Sequence, residues 1–160
     1  MKTFTLAKYI EKPCKVTLVD ISTKALKITE KNQAKLQLEK TTIVTKSNMF
    51  RDLKTENKFD IIVSNPPYIK TGDLINLDDG VKKYDPKLAL NGGVDGLKFY
   101  KAIAKNVKNY LTEDGIVFLE IGYDQAQDVK SLFEENFEVT CYKDYSKNDR
   151  LIVAKQKSKK

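Results

Sequence analysis

Short apolar runs alternate with segments of helical spacing along most of this chain. The apolar runs predict strands at residues 16–19, 42–45, 59–63, 116–119, 137–142 and 151–154. The segments of helical spacing predict helices at residues 5–10, 22–37, 97–111 and 125–136. This alternation is typical of a parallel sheet covered by helices on both faces. The last two runs are close enough in sequence to pair as an antiparallel hairpin.

Two of the predicted helices carry an apolar face. Ser22 is the expected N-cap of the first helix, because its hydroxyl oxygen can accept from a backbone N–H of the first turn. The stripe of that helix comprises Ile21, Ala25, Ile28 and Leu36. The stripe of the later helix comprises Leu97, Tyr100, Ala104, Val107 and Leu111, and a turn at residues 113–115 is expected after it. Residues 70–95 between these helices are polar and glycine-rich, and loops this long are usually functional or disordered.

Composition narrows the class of protein. The 160 residues, 41% of them hydrophobic, suffice for one domain with a real core, so we expect a single domain over residues 1–160. No apolar run reaches membrane-spanning length and no signal peptide is visible, so we expect a cytoplasmic protein without membrane contact. The absence of histidine and the spacing of the two cysteines argue against a metal site.

The net charge of +7 raises the question of a nucleic-acid partner. Only Arg51 and Arg150 are arginine among the 29 basic residues, and the lysines are spread over the whole chain. This distribution favours a solvated surface over a nucleic-acid groove.

The most informative segment is Asn65-Pro66-Pro67-Tyr68, directly after the apolar run at 59–63. The two prolines stiffen the turn and press Asn65 into an extended conformation beyond the strand end. The Asn65 Oδ1 atom and the Pro66 carbonyl can accept the two hydrogens of a planar NH2 group, and Tyr68 can cover its plane. Such a site suits methyl transfer from a sulfonium donor, which needs positioning more than a strong base. The alternative is a turn that only ends a strand.

Two polar residues follow the first two predicted strands. A carboxylate at the position of Asp20 often accepts ribose hydroxyls in doubly wound folds, although an acid at a helix N-terminus has the same place. Asn48 can accept from an adenine amino group or serve as a simple turn residue.

The order of several motifs matches a known family. These motifs are Asn65-Pro66-Pro67-Tyr68, Tyr84-Asp85-Pro86, Leu88-Ala89-Leu90, residues 92–97 with Tyr100, Leu119-Glu120-Ile121-Gly122, and Asp144-Tyr145 with Asn148-Asp149-Arg150. Together they resemble the protein-(glutamine-N5) methyltransferases of peptide chain release factors, from about residue 6 to residue 154. Asn-Pro-Pro-Tyr alone also occurs in adenine-N6 DNA methyltransferases, so the combination is the more specific signal.

The resemblance implies a Rossmann-like fold that uses S-adenosylmethionine: a mostly parallel sheet with a C-terminal antiparallel hairpin. It implies methylation of the glutamine in the Gly-Gly-Gln motif of class I release factors. The cofactor-binding residues that it implies are Asp20, Ile21, Asn48, Met49 and Asn65. The catalytic residues that it implies are Asn65, Pro66 and Tyr68, and the substrate-binding residues are these three with Pro67, Tyr84 and Glu120.

The chain differs from the family at its start. No glycine precedes Gly72, so the expected Gly-rich turn before Asp20 is missing, together with the first strand and the family's helical domain. Asn48 also stands where the family usually has aspartate. We therefore expect a catalytic domain truncated at the N-terminus, with weakened cofactor binding. The missing strand would lie between the strands that end at Asp20 and Ser64. We expect that gap to lead to direct pairing of those two strands, to a partner chain or self-association, or to marginal stability with aggregation.

Two other functions compete with this interpretation. One is an adenine-N6 nucleic-acid methyltransferase, which the motif at 84–97 argues against. The other is a non-catalytic remnant or interaction module of the same fold.

Overall fold

The computed structural model describes residues 13–76 and 87–157. The predicted helix at 5–10 and Tyr84 lie outside these residues. The chain divides into two compact units, Met1–Lys54 and Thr55–Lys160, and each is described by itself below. The assignment of residues 1–160 to one catalytic domain stays a prediction.

The first unit contains a parallel strand pair and one helix. Its elements are β1 (Val16–Asp20), α1 (Thr23–Lys35) and β2 (Thr42–Lys46). β1 and β2 pair with Val16 opposite Thr42. Ser22 caps α1 as predicted, because its Oγ atom accepts from the Ala25 N–H at 3.2 Å. Both strands and the helix therefore lie close to their predicted positions.

The predicted apolar face of α1 is wrong. Ile21 and Ile28 are 48% and 54% exposed, whereas Leu26 is buried. The inner face also carries Gln33, whose Nε2 donates at 2.8 Å both to the carbonyl and to the hydroxyl oxygen of Thr42 on β2. A polar residue thus faces the strands, and a search for apolar spacing alone misses this face.

The second unit is a four-stranded sheet with helices. Its elements are β3 (Phe59–Ser64), a 3-10 helix (Thr71–Asn76), α2 (Lys87–Leu90), α3 (Lys98–Asn106), a second 3-10 helix (Val107–Tyr110), β4 (Leu111–Glu120), α4 (Ala126–Phe133), β5 (Phe137–Lys143) and β6 (Asp149–Gln156). The strand order is β3-β4-β6-β5. β3 and β4 are parallel, whereas β4, β6 and β5 pair antiparallel. The predicted α/β class with a C-terminal hairpin is confirmed.

One predicted turn lies inside a strand. β4 continues through residues 113–115, where the sequence predicts a turn. Phe59 of β3 faces Leu111, but Ile61 faces Ile116, so the four residues 112–115 of β4 stand opposite the single residue Asp60. The Glu-Asp-Gly sequence thus forms an irregularity within the strand and does not interrupt it.

The core of the second unit lies between its sheet and the helices α3 and α4. The largest fully buried side chains include Tyr100, Ile103, Val107, Leu119, Ile121, Val129, Phe133 and Ile152. Ile103 takes the place that the predicted stripe gave to Ala104, because Ile103 lies on the same helix face as Tyr100 and Val107, three residues after one and four before the other. The rings of Phe133 and Phe137 meet edge to face, with centroids 5.8 Å apart.

Each unit contains its own sheet. Within the described residues β1 is hydrogen-bonded to β2, and β3 to β4. How the expected gap is closed, and self-association with it, stays a prediction. No helix in the described ranges has the length and apolarity that a membrane crossing requires.

Candidate active site

The turn Asn65–Tyr68 directly follows the end of β3 at Ser64. The Asn65 side chain is exposed, Pro66 is buried, and Pro67 and Tyr68 are half-buried. The prolines have no N–H to donate, so they leave the turn with few backbone hydrogen bonds of its own. A polar amide is thus held at the carboxyl end of a strand, where sheets of this class commonly bind ligands.

A glycine-rich segment lies against the backbone that follows the turn. The Ile69 N–H donates to the Leu90 carbonyl at 3.1 Å, and the Gly92 N–H donates to the Ile69 carbonyl at 2.8 Å. A Cβ atom at Gly92 would lie 2.8 Å from the Tyr68 Cα atom, closer than real Cβ contacts occur. Only glycine permits this approach, so residues 90–92 brace the end of the turn.

A salt bridge joins the same glycine-rich segment to α3. Lys101 Nζ is 2.5 Å from Asp95 Oδ2, and Asp95 Oδ1 accepts from the Leu97 N–H at 2.9 Å. The hydrogen bond from Lys101, followed by that from Leu97, lowers the pKa of the Asp95 carboxyl. Both partners are substantially exposed, so this pair orders the loop more than it stabilises the fold.

A buried glutamine connects three loops around the turn. Gln125 Nε2 donates to the Tyr68 carbonyl at 3.1 Å and to the Gly96 carbonyl at 3.4 Å. Its Oε1 accepts from the Gly122 N–H at 3.1 Å. From the sequence alone, Gln125 is predicted only as the first residue of a helix.

Tyr100 and Glu120 meet beneath the turn. The Tyr100 side chain is fully buried, and its hydroxyl donates to the Glu120 carbonyl at 2.9 Å. Burial, and then the neighbouring Tyr68 and Glu120, raise the pKa of Tyr100 far above its ordinary value. Tyr100 is therefore a neutral structural donor. Glu120, a predicted substrate-binding residue, is half-buried at the end of β4.

The end of the C-terminal hairpin holds the loop after β4. Arg150 Nη1 donates to the Ile121 carbonyl at 3.0 Å, and the Ile121 N–H donates to the Arg150 carbonyl at 2.9 Å. Asp144 Oδ2 lies 3.4 Å from Arg150 Nε. The backbone N–H of Asn148, and then Arg150, lower the pKa of Asp144, so this carboxylate stays ionised beside the guanidinium.

The first unit contains a separate pocket of about 460 Å³. Its lining includes Ile21 and Asn48, two of the predicted cofactor-binding residues, together with Lys46, Ser47, Arg51 and Asp52. Asp20 directly precedes Ile21 in the sequence and is exposed. Its Oδ1 accepts from the Ser22 N–H at 2.7 Å. Asp20 thus has the helix-terminal role that the sequence left open.

Met49, next in sequence to Asn48, adopts a left-handed backbone conformation with φ of +56°. The buried Ser47 hydroxyl donates to the Met49 carbonyl at 2.8 Å and accepts from the Asp52 N–H at 3.0 Å. A non-glycine residue in this conformation needs such support. Ser47 was not predicted from the sequence, because a serine after a strand carries no distinctive signal.

The structure brings the predicted residues together in two groups. Ile21 and Asn48 line one pocket of the first unit, with Asp20 and Met49 adjacent in sequence. Asn65, Pro66, Pro67 and Tyr68 form one turn in the second unit. Tyr84 lies outside the described residues. Their roles toward ligands stay predictions.

Sequence comparison gives the family relation. A protein-family model described as "Methyltransferase small domain" matches residues 3–78. The release factor glutamine methyltransferase of Fusobacterium nucleatum subsp. nucleatum is 42% identical over 147 residues, covering 91% of this chain and 41% of the relative. This chain is related to the release factor glutamine methyltransferases. The enzyme of that name from Agrobacterium fabrum is 43% identical over 136 residues, covering 84% of this chain and 46% of the relative.

The resemblance drawn from the motifs is thus confirmed. This chain spans less than half the length of these two relatives. A solved methyltransferase from Pyrococcus furiosus superposes with a TM-score of 0.68 at 19% identity, covering 99% of this chain and 71% of that structure. This chain therefore has the Rossmann-like methyltransferase fold that the sequence predicts.

Proposed function

We propose that this chain binds and methylates the glutamine side chain of the Gly-Gly-Gln motif in class I peptide chain release factors. The carrying observation is the exposed Asn65 on a proline-stiffened turn, in a chain 42% identical to an enzyme named for this reaction. A release-factor substrate would also locate the activity in the cytoplasm.

The turn supplies the two acceptors that a primary amide needs. Asn65 Oδ1 accepts one hydrogen of the substrate NH2 group and the Pro66 carbonyl accepts the other. The half-buried Tyr68 ring covers the amide plane. Fixing both hydrogens directs the nitrogen lone pair away from the turn, and this positioning provides most of the rate gain.

The methyl donor in this proposal is S-adenosylmethionine, which supplies an electrophilic methyl group. The residues that would hold its nucleoside part belong to the first unit. Asp20 offers a carboxylate oxygen for the ribose hydroxyls and Asn48 an amide oxygen for the adenine amino group. Ile21 lines the pocket of that unit with apolar surface suited to the purine ring.

The reaction transfers one methyl group and releases one proton. A nitrogen–carbon bond forms as the sulfur–carbon bond of the donor breaks, and the thioether leaves with the bonding electron pair. The proton lost from the substrate nitrogen passes to solvent. No ionised side chain is required as a base, because the acceptors at Asn65 and Pro66 hold the nitrogen in place.

The test uses Asn65→Ala, with Asn57→Ala as the matched control at another exposed position of the second unit. Transfer of labelled methyl to a purified release factor is measured under saturating cofactor, and cofactor affinity is measured by calorimetry. We expect Asn65→Ala to lower kcat about 100-fold, since misplacing a bound substrate has effects of this order. Cofactor affinity and the activity of the control should change less than about twofold.

The result can also separate the competing functions. Unchanged turnover in Asn65→Ala would reject the assigned role of the turn. Transfer to adenine in DNA, with none to the release factor, would identify a nucleic-acid methyltransferase. A wild-type chain with neither transfer nor cofactor binding would be the non-catalytic module.

A further inference from the structure

We propose that Gln125 is the positioning residue of the substrate-binding turn. Its buried amide fixes the backbone of Tyr68, and through it the orientation of the Asn65 side chain and the Pro66 carbonyl. The inference rests on the proposed function, since it assigns a residue to the same reaction.

The amide of Gln125 is fully used by three partners on three chain segments. The side chain is only 3% exposed. Nε2 reaches the carbonyls of Tyr68 and Gly96 at 3.1 and 3.4 Å, and Oε1 accepts from the Gly122 N–H at 3.1 Å. A primary amide is the side-chain group that offers two donors and an acceptor in one plane. Neither a carboxylate nor an apolar side chain could satisfy the same three partners.

Two glycines make the space that this amide occupies. A Cβ atom at Gly96 would lie 2.5 Å from Gln125 Nε2, and one at Gly122 would lie 2.8 Å from Oε1. The Gln125 backbone N–H also donates to the Gly122 carbonyl at 3.1 Å, so this glutamine holds both sides of that residue. The surrounding backbone is thus shaped around one side chain.

The turn depends on this support because of its own sequence. Pro66 and Pro67 donate no backbone hydrogen bonds, so few backbone bonds restrain the turn from within. Directly after the prolines, the Tyr68 carbonyl accepts a hydrogen bond from another part of the second unit, and the donor is Gln125. Loss of the bond would leave a part-buried carbonyl unsatisfied and release the turn to rotate.

The central experiment compares Gln125→Met with Gln127→Met. Methionine matches glutamine in length and removes the amide, and Gln127 is an exposed glutamine two positions further along α4. Gln125→Glu is the third variant, because it keeps the acceptor for the Gly122 N–H and, as a carboxylate, removes both donors. Far-UV circular dichroism checks that each full chain folds.

Two readouts are measured on these variants. For Gln125→Met and Gln125→Glu we expect kcat for release-factor methylation to fall about 100-fold, with cofactor affinity changed less than about twofold. Hydrogen exchange should accelerate about tenfold at the Ile69 amide next to the turn, while the amides of β6 keep their protection. Gln127→Met should match the wild type in both readouts.

The outcomes separate this inference from the proposed function. Wild-type rates of exchange and of methylation in Gln125→Met would overturn the positioning role. Full activity of Gln125→Glu would show that the bond to Tyr68 is not needed, and would overturn it equally. A wild-type chain without release-factor methylation would reject the proposed function, whereas faster exchange at Ile69 in Gln125→Met would still support the hold of Gln125 on the turn.

Discussion

Replacing Gly96 by alanine should destabilise the second unit far more than a glycine-to-alanine change in an exposed loop does. Gly96 is buried. Gly96 has φ of +75°, a region that residues with a Cβ atom rarely adopt. The added methyl group would lie 2.6 Å from the Tyr68 carbonyl oxygen and 2.5 Å from Gln125 Nε2. The first contact is with backbone, so a flexible side chain cannot remove the strain by moving.

The magnitude follows from two separate costs. A left-handed conformation costs an alanine about 1–2 kcal/mol relative to glycine. Overpacking a closed site costs about 1–3 kcal/mol. We therefore expect Gly96→Ala to lower the free energy of unfolding by about 2–5 kcal/mol, a large part of the stability of a typical domain.

Urea unfolding followed by circular dichroism measures this change, with Gly72→Ala as the control. A Cβ atom at Gly72 would meet no heavy atom within 4 Å, and its φ lies outside the left-handed region. The control should thus stay within about 0.5 kcal/mol of the wild type. A loss below about 0.5 kcal/mol in Gly96→Ala would refute the reasoning, because neither the strain nor the close contact would then be present.

Three further changes test the core and the ionisable groups. Ile103→Ala should lower the free energy of unfolding by about 2–5 kcal/mol in the same urea assay, since Ile103 is 1% exposed. A loss under about 1 kcal/mol would contradict its place in the core. Burial raises the pKa of Tyr100 above its ordinary 10.0, so its contribution to stability is complete below pH 10.0 and is lost as pH rises toward the folded value. Tyr100→Phe should thus show a shallower alkaline loss in thermal melts, and an unchanged slope would count against this. The pKa of Asp144 is lowered from 3.8, so its contribution to the free energy of unfolding is present above pH 3.8 and is lost as pH falls through the folded value. Asp144→Asn should therefore lose less stability in acid than the wild type does. An equally steep loss of stability in acid would contradict this.

The strand pattern could be predicted because each strand has its own local signal. β5 and β6 are recognisable from apolar content and from the short polar segment between them. The inner face of α1 could not be predicted, since Gln33 reaches Thr42 through hydrogen bonds that an apolar stripe does not represent. The bulge at residues 112–115 depends on a register between β3 and β4 that no local pattern encodes.

The candidate site was predictable in part for the same reason. The turn Asn65–Tyr68 is contiguous, so its motif and its place after a strand can be read directly. Gln125 is 57 residues from Tyr68 and 29 from Gly96, so its role exists only after folding. Gly96 and Gly122 stand out in the sequence only as members of the motifs at 92–97 and 119–122, and their closeness to one buried amide is a property of the assembled unit.

The order of strands β3-β4-β6-β5 has a consequence for how the chain reaches its fold. The β5–β6 hairpin closes through residues 144–148 alone, whereas β3 reaches β4 only after residues 65–110 have been traversed. Closing a long loop costs more entropy than closing a short one, so local pairs form before distant ones. The hairpin and β4 can therefore act as a template on which β3 docks late in folding. The turn Asn65–Tyr68 at the end of β3 then gains its shape last, after the whole C-terminal hairpin has left the ribosome.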